Sequence, residues 1–218
     1  MGCMYGHCKL APALRVYGWL LERLYHELAW AYELIAWLVS AGRWAGWRRR
    51  IVPYLTGRRV LEVGPGPGAL LASLLTAGFD AYAIDAAWPM CRLAAARLRR
   101  QGDAAWRVHF GAAQRLPYAD AVFDVVLFTF PAGYALSSQT MAEARRVLRP
   151  AGRLVALDAT GPILGALLVL FGGAGAGPPA YGALAAAAGF NVSWHVQAGW
   201  GERVYIMVAE KPAGEVCM

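Results

Sequence analysis

Acidic side chains and glycines at fixed spacing are the first residues in this chain suited to chemistry. Glu62, Gly64, Gly66 and Gly68 alternate within Arg59-Val60-Leu61-Glu62-Val63-Gly64-Pro65-Gly66-Pro67-Gly68. Alternating glycines let a backbone turn tightly and present its N–H groups to a ligand. Asp85 follows about twenty residues after the loop, the distance at which a doubly wound fold sets a carboxylate beside ribose hydroxyls. Formally, Gly64-x-Gly66-x-x-Ala69 also fits a dinucleotide fingerprint. Two prolines inside the turn are unusual for that fingerprint.

The elements around these residues must hold them in place. Val60, Leu61 and Val63 have the β-branched and aliphatic character of a buried parallel strand. Leu70, Leu71, Leu74 and Leu75 follow at helical spacing, so the glycine loop opens a helix. A second strand runs roughly Ala81 to Ile84 and ends at Asp85; Asp80 reads as a turn residue. The next helix starts near Trp88-Pro89-Met90, with proline in its first turn. The pattern predicts further strands over Trp106–Phe110, Asp124–Phe128, Phe190–Gln197 and Arg203–Glu210. Met141, Ala144, Val147 and Leu148 make one face of a helix before a fifth strand that ends at Asp158, and Tyr181–Ala188 is the last helix.

Three motifs in order resemble the class I S-adenosylmethionine-dependent methyltransferases. The first is Glu62-x-Gly64-x-Gly66-x-Gly68. The second is Asp85. The third is the run from Leu116-Pro117 through Asp120, Phe123-Asp124-Val125-Val126 and Glu143 to Val147-Leu148-Arg149-Pro150-Ala151-Gly152-Arg153-Leu154. Within that family the chain is most similar to ubiquinone and menaquinone biosynthesis methylases. The resemblance implies a Rossmann-like, doubly wound α/β fold. Its seven-stranded sheet has an antiparallel last strand and helices on both faces, and residues 57–218 form it. Residues 1–56 read as an N-terminal helical lid.

The resemblance also implies S-adenosylmethionine as cofactor and S-adenosylhomocysteine as product. Glu62, Gly64, Pro65, Gly66 and Gly68 would hold the methionine part, Asp85 and Ala86 the ribose, and Met90 would line the adenosine pocket. Ala112, Ala113 and Gln114 would hold adenine, and Thr129 would stand at the carboxyl end of the fourth strand. Position 112 departs from the family, which usually has an acidic residue there; losing that hydrogen bond costs on the order of 1 kcal/mol. Substrate-side candidates are Tyr25, Tyr32, Phe130 and Tyr134. No general base stands out, and His26 and Tyr25 are the catalytic candidates. Thr129-Phe130-Pro131 differs from the Asn/Asp-Pro-Pro-Tyr element of base and amide methylases, so nucleic acid is not the expected partner. The expected acceptor is a small apolar or aromatic molecule.

Composition bounds the rest. The chain has 218 residues, 58% hydrophobic and 16% charged, with a net charge of +7 carried mostly by arginine. That excludes disorder and leaves contact with an anionic membrane open. Arg48, Arg49 and Arg50 read as a solvated face, as do Arg92, Arg97, Arg99 and Arg100. The apolar run Ile163–Phe171 is too short to span a bilayer, which takes about twenty residues. Cys3, Cys8, Cys91 and Cys217 are scattered, pointing to a reduced, cytoplasmic protein without a metal site. No secretory signal is evident. The alternatives are a membrane-surface phospholipid or lipid-quinone methyltransferase, a non-catalytic cofactor-binding scaffold, and a nicotinamide-dependent oxidoreductase. Nothing in the sequence fixes the oligomeric state.

Overall fold

The computed structural model describes residues 31–102, 105–131, 133–160, 180–199 and 202–214, together with Arg23 and Glu27. The helix expected before residue 31, with His26 and Tyr25, lies outside the described residues, as do Cys3, Cys8, Cys217 and the Ile163–Phe171 run.

Seven strands form one sheet: β1 (Arg59–Val63), β2 (Asp80–Asp85), β3 (Val108–Phe110), β4 (Phe123–Thr129), β5 (Leu148–Thr160), β6 (Asn191–Gly199) and β7 (Glu202–Glu210). Their order is β3-β2-β1-β4-β5-β7-β6. The first five strands are parallel, and β7 runs antiparallel to both β5 and β6. This is the expected doubly wound sheet with an antiparallel closing pair.

The helices are α1 (Tyr32–Val39), α2 (Trp44–Arg49), α3 (Ala69–Thr76), α4 (Trp88–Arg100), α5 (Ser138–Val147) and α6 (Tyr181–Ala187). Alternation along the strands divides their apolar side chains between two layers. Leu61, Val63, Val126, Phe128, Leu154 and Ala156 pack with α5 and α6. Val60, Val125, Leu127, Val155 and Leu157 pack with Trp47 of α2 and with α3. Both faces are covered, so the central strands read as continuous hydrophobic runs rather than alternating ones.

Some boundaries shift from the sequence pattern, each for a local reason. Leu148 opens β5 instead of ending α5: its ψ of 136° is extended, and it pairs with Phe123. Arg149 precedes Pro150, which disfavours further helix. Residues 105–107 form a 3₁₀ turn before β3. There Arg107 reaches back to Asp80 at 2.6 Å and lies over the Tyr82 ring. Asp80 is therefore the first residue of β2 and an ion-pair partner of Arg59 and Arg107, not a turn residue.

Two contacts place the N-terminal helices against the sheet. Ser40, which is buried, accepts the Trp44 amide at 3.0 Å and so caps α2. Ala41 and Gly42, both at positive φ, end α1 at the expected Ser40-Ala41-Gly42 break. Trp47 is fully buried, and its indole N–H donates to Glu202 Oε2 at 2.8 Å, while Arg50 holds Oε1 at 2.6 Å. Glu202→Ala would leave a buried indole N–H and a guanidinium unpaired, and stability should fall by about 1–3 kcal/mol in urea denaturation. An unchanged midpoint would show that Trp47 burial alone fastens α2.

Candidate cofactor and acceptor site

β1 delivers Glu62 to the carboxyl edge of the sheet, where the chain turns through three glycines. Gly64, Gly66 and Gly68 all have positive φ, of 71°, 55° and 75°. A Cβ on Gly68 would lie 2.7 Å from the Ala94 methyl, so the helix after the loop can approach α4 only with glycine there. The loop forms a cradle that side chains would fill.

Glu62 is almost completely buried. Thr129 Oγ1 donates to its Oε1 at 3.0 Å, and Oε2 has no hydrogen-bond partner among the described residues. Burial pushes the carboxyl up to about 7; Thr129, the charge of Arg48 and the Leu71 amide only partly offset it. Thr129, expected to face the cofactor, thus serves Glu62 directly. Arg48 corrects the reading of a solvated arginine face. It sits close to Glu62, and burial lowers its pKa against the pull of that carboxylate. Arg49 is exposed as expected, whereas Arg50 is bound to Glu202. Arg97 pairs with Glu33 of α1 at 2.8 Å instead of standing free in solvent.

Asp85 closes β2 at the same edge. Its Oδ1 accepts the Ala87 amide at 2.8 Å, which fixes the carboxylate at the start of α4. Ala86 is exposed, and Met90 is buried under Tyr32. Ala112 is exposed, its carbonyl taken by the Arg115 amide at 3.1 Å. Ala113 is buried in the core, and Gln114 is half-buried. Two exposed aromatic residues missed by the sequence reading flank this end. Phe110 pairs with Asp85 across the strands, and Trp88 meets its ring edge-on at 5.7 Å.

Aromatic rings cover the other end. The Tyr134 hydroxyl donates to the Val63 carbonyl at 2.9 Å, beside Gly64. The Tyr32 ring lies over Gly66, 3.7 Å from where a Cβ would stand. Phe130 adopts a φ of 51°, unusual for a bulky residue. Its amide donates to the Leu157 carbonyl at 2.8 Å. Its ring stacks on Trp44 with centroids 3.8 Å apart. Tyr32 and Tyr134, two of the described substrate-side candidates, therefore stand at the glycine loop, and the third, Phe130, is linked to Tyr32 through Trp44. Trp44, Trp47 and Arg48 join them from α2; their only sequence signal is clustering ahead of the first strand.

Comparison with known proteins agrees with this geometry. Residues 61–156 match the methyltransferase domain family. The demethylmenaquinone methyltransferase of Thermus thermophilus is 31% identical over 156 residues, covering 68% of this chain and 70% of that protein. Its counterpart from Tropheryma whipplei is 30% identical over 146 residues, covering 65% of this chain and 60% of that protein. The chain thus spans about three-fifths of that curated relative's length. In fold it is similar to an S-adenosylmethionine-dependent methyltransferase from Thermotoga maritima, with a TM-score of 0.61 and 20% identity over 87% of this chain and all of the other. The cyclase SpnF also shares the fold, with a TM-score of 0.55 and 20% identity over 77% of this chain and 80% of its own.

The chain belongs to the class I S-adenosylmethionine-dependent methyltransferase family. That membership removes the nicotinamide-dependent reading of the glycine loop. The residues present suit S-adenosylmethionine. Gly64 and Gly66 leave bare backbone under the Tyr134 hydroxyl and the Tyr32 ring, Asp85 offers a carboxylate to a diol, and Glu62 keeps a buried oxygen without a partner among the described residues.

Two outcomes are expected. Asp85→Ala should weaken S-adenosylhomocysteine binding by about ten- to a hundredfold in calorimetry, as for loss of hydrogen bonds to a charged group. Wild-type affinity would exclude Asp85 from the cofactor site. The second concerns pH. Glu62 has a folded pKa above its ordinary value, so its stabilising effect is complete at low pH and is lost as pH rises through about 7. Glu62→Gln should therefore be more stable than wild type at pH 8, by on the order of 1–3 kcal/mol, and should lose that advantage near pH 5. Urea melts at the two pH values measure the difference; a constant difference would place the ionisation elsewhere.

Proposed function

We propose that this protein transfers the methyl group of S-adenosylmethionine to a small aromatic acceptor of quinol type and releases S-adenosylhomocysteine. The observation that carries this reading is the partly exposed ring pair of Phe130 and Trp44, backed by the buried Trp47 and in edge contact with Tyr32 over the glycine loop. A flat ring matches such a wall by stacking. The two relatives named demethylmenaquinone methyltransferase favour the same acceptor class.

The cofactor brings an activated methyl group, so the protein's task is to bind, orient and exclude water. Glu62 and the glycine backbone would hold the amino-acid end of the cofactor, Asp85 the ribose, and the Ala112–Gln114 backbone the adenine. Tyr32 and Tyr134 stand over the loop and would keep water from the reacting atoms. Residues 1–56 would act as a lid, with α2 anchored through Trp47 and Glu202. Such positioning contributes on the order of 7–11 kcal/mol in well-oriented reactions. Tyr25 and His26 remain acceptor-side candidates in this reading.

Incubation with labelled S-adenosylmethionine and a 1,4-naphthoquinol carrying a short isoprenoid tail tests the proposal. Labelled product is expected, together with S-adenosylhomocysteine. Cofactor binding without transfer to this or any other acceptor would favour the scaffold reading that Ala112 motivates.

We further infer that this protein works in the cytoplasm and touches an anionic membrane surface, where a lipid-tailed acceptor would reside. Among the described residues no helix is long and apolar enough to cross a bilayer. α1, however, turns Leu34, Trp37 and Leu38 outward, each more than half exposed, opposite the Tyr32 and Ala36 face. Arg49, Arg92, Arg99 and Arg100 on α2 and α4 are exposed, with no ion pair among the described residues. Apolar residues beside unpaired arginines are the pattern of a helix that lies on anionic lipid. Wild-type protein should co-sediment with phosphatidylglycerol vesicles and far less with phosphatidylcholine vesicles. The L34S/W37S/L38S variant should lose that binding and keep its affinity for S-adenosylhomocysteine. A dimer that this variant dissolves, without vesicle binding by wild type, would assign the stripe to a second copy.

A further inference from the structure

The amino end of the sheet, opposite the glycine loop, carries more arginine than its carboxylates can match. β1 opens there at Arg59 and closes at Val63, so the two ends lie on the order of 13 Å apart by strand rise. At the amino end Arg58, Arg59, Arg107 and Arg149 line an open cavity of about 570 Å³, together with Asp80 and Asp124. Four guanidiniums against two carboxylates leave an excess of two positive charges. Like charges gathered this way repel one another unless an anion comes between them.

Both carboxylates are already taken. Asp124 Oδ2 accepts the Arg58 and Arg59 amides at 2.9 and 2.8 Å, and its Oδ1 accepts from Arg149. Gly57 makes that approach possible, because a Cβ there would stand 2.5 Å from the Asp124 carboxyl carbon. Asp80 is held by Arg107 at 2.6 Å and by Arg59 at 3.1 Å.

Donor capacity is left over. Arg58 is exposed, and its guanidinium meets only the Gly78 carbonyl, at 3.3 Å, among the described residues. Arg107 engages Nη1 alone, with Asp80 and the Ala81 carbonyl. Its Nε is buried without a hydrogen-bond partner among the described residues. The Tyr82 ring lies 5.4 Å from the Arg59 guanidinium carbon and 5.0 Å from that of Arg107, which holds both groups beside the cavity.

We propose that this cavity is a second ligand site, which binds a phosphate-bearing anion. Guanidinium forks match phosphate oxygens two at a time. A phosphate ester carries about −1.5 to −2 charge at neutral pH and three acceptor oxygens, which balances the excess; a lone carboxylate would leave half of it. Arg58 and Arg107 supply the donors. Arg59 and Arg149 stay with Asp80 and Asp124 and add charge. The site stands at the edge of the sheet remote from Glu62 and Gly64, so its occupation needs neither S-adenosylmethionine nor a methyl acceptor.

Inorganic pyrophosphate, titrated by calorimetry at physiological ionic strength, is the first probe. Wild-type protein should bind it in the micromolar range. Arg58→Gln should weaken binding about ten- to a hundredfold, as for loss of hydrogen bonds to a charged group, and leave S-adenosylhomocysteine affinity unchanged. Arg203→Gln removes the same charge from an exposed position on β7 and should change nothing. Amide NMR needs no variant: pyrophosphate should shift Arg58, Arg59 and Arg107 and spare Gly64, Gly66 and Gly68. Co-sedimentation with phosphatidic acid vesicles separates the two sources of the phosphate. A loss in Arg58→Gln assigns the cavity to a lipid headgroup, and unchanged sedimentation assigns it to a soluble phosphate compound. No binding of pyrophosphate by the wild-type protein, equal weakening in Arg203→Gln, or shifts centred on the glycine loop would overturn the proposal.

Discussion

The buried carboxylate of Glu62 is the constraint on which the carboxyl edge of the sheet depends. An ionised carboxyl away from water is costly unless hydrogen bonds or charge compensate it. Here one oxygen takes the Thr129 hydroxyl, which ties the end of β1 to the end of β4. The Leu71 amide in the first turn of α3 and the guanidinium of Arg48 on α2 add partial compensation. Four elements thus converge on one side chain. The second oxygen remains without a partner, so the set is complete only toward a ligand that donates a hydrogen bond.

Around that centre the chain places rings rather than further charges. Phe130 holds a backbone conformation that costs about 1–3 kcal/mol for such residues. It persists because its amide is bonded to β5 and its ring stacks on Trp44 with Trp47 alongside both. Trp47 is itself fastened through Glu202 on the antiparallel strand. Strain at Phe130 is therefore held by a contact reaching from α2 to the antiparallel strand β7. That coupling links the N-terminal helices to the site energetically as well as spatially.

Much of this was legible in the sequence. The β1 run, the glycine alternation and the spacing to Asp85 are local patterns, and local patterns survive folding. Strand order and the closing antiparallel pair came with the family resemblance. What stayed hidden depended on tertiary proximity. Arg48 reads like its neighbours Arg49 and Arg50, yet one is beside Glu62, one in solvent and one on Glu202. The direction each takes from a six-residue helix is fixed by which face Trp47 buries. Asp158 reads as any acid at a strand end, because the apolar helix that removes water from it begins at residue 181. Leu148 misled for the opposite reason: its helical spacing was outweighed by the following Arg149-Pro150.

The fold alone does not select the reaction, since a cyclase shares it. Selection must come from side chains at the carboxyl edge, and in this chain they divide into two unlike halves. One end relies on backbone and carboxylates, with Glu62 and Asp85 at the strand ends and the exposed Trp88 and Phe110 rings beside Asp85. The other end is aromatic, with Tyr32, Trp44 and Phe130 in contact and Arg48 of α2 directed toward Glu62. Rings in that arrangement favour flat, apolar surfaces through buried area and stacking. Carboxylates and ring surface are thus set apart along one edge of the sheet, and the shared fold dictates neither.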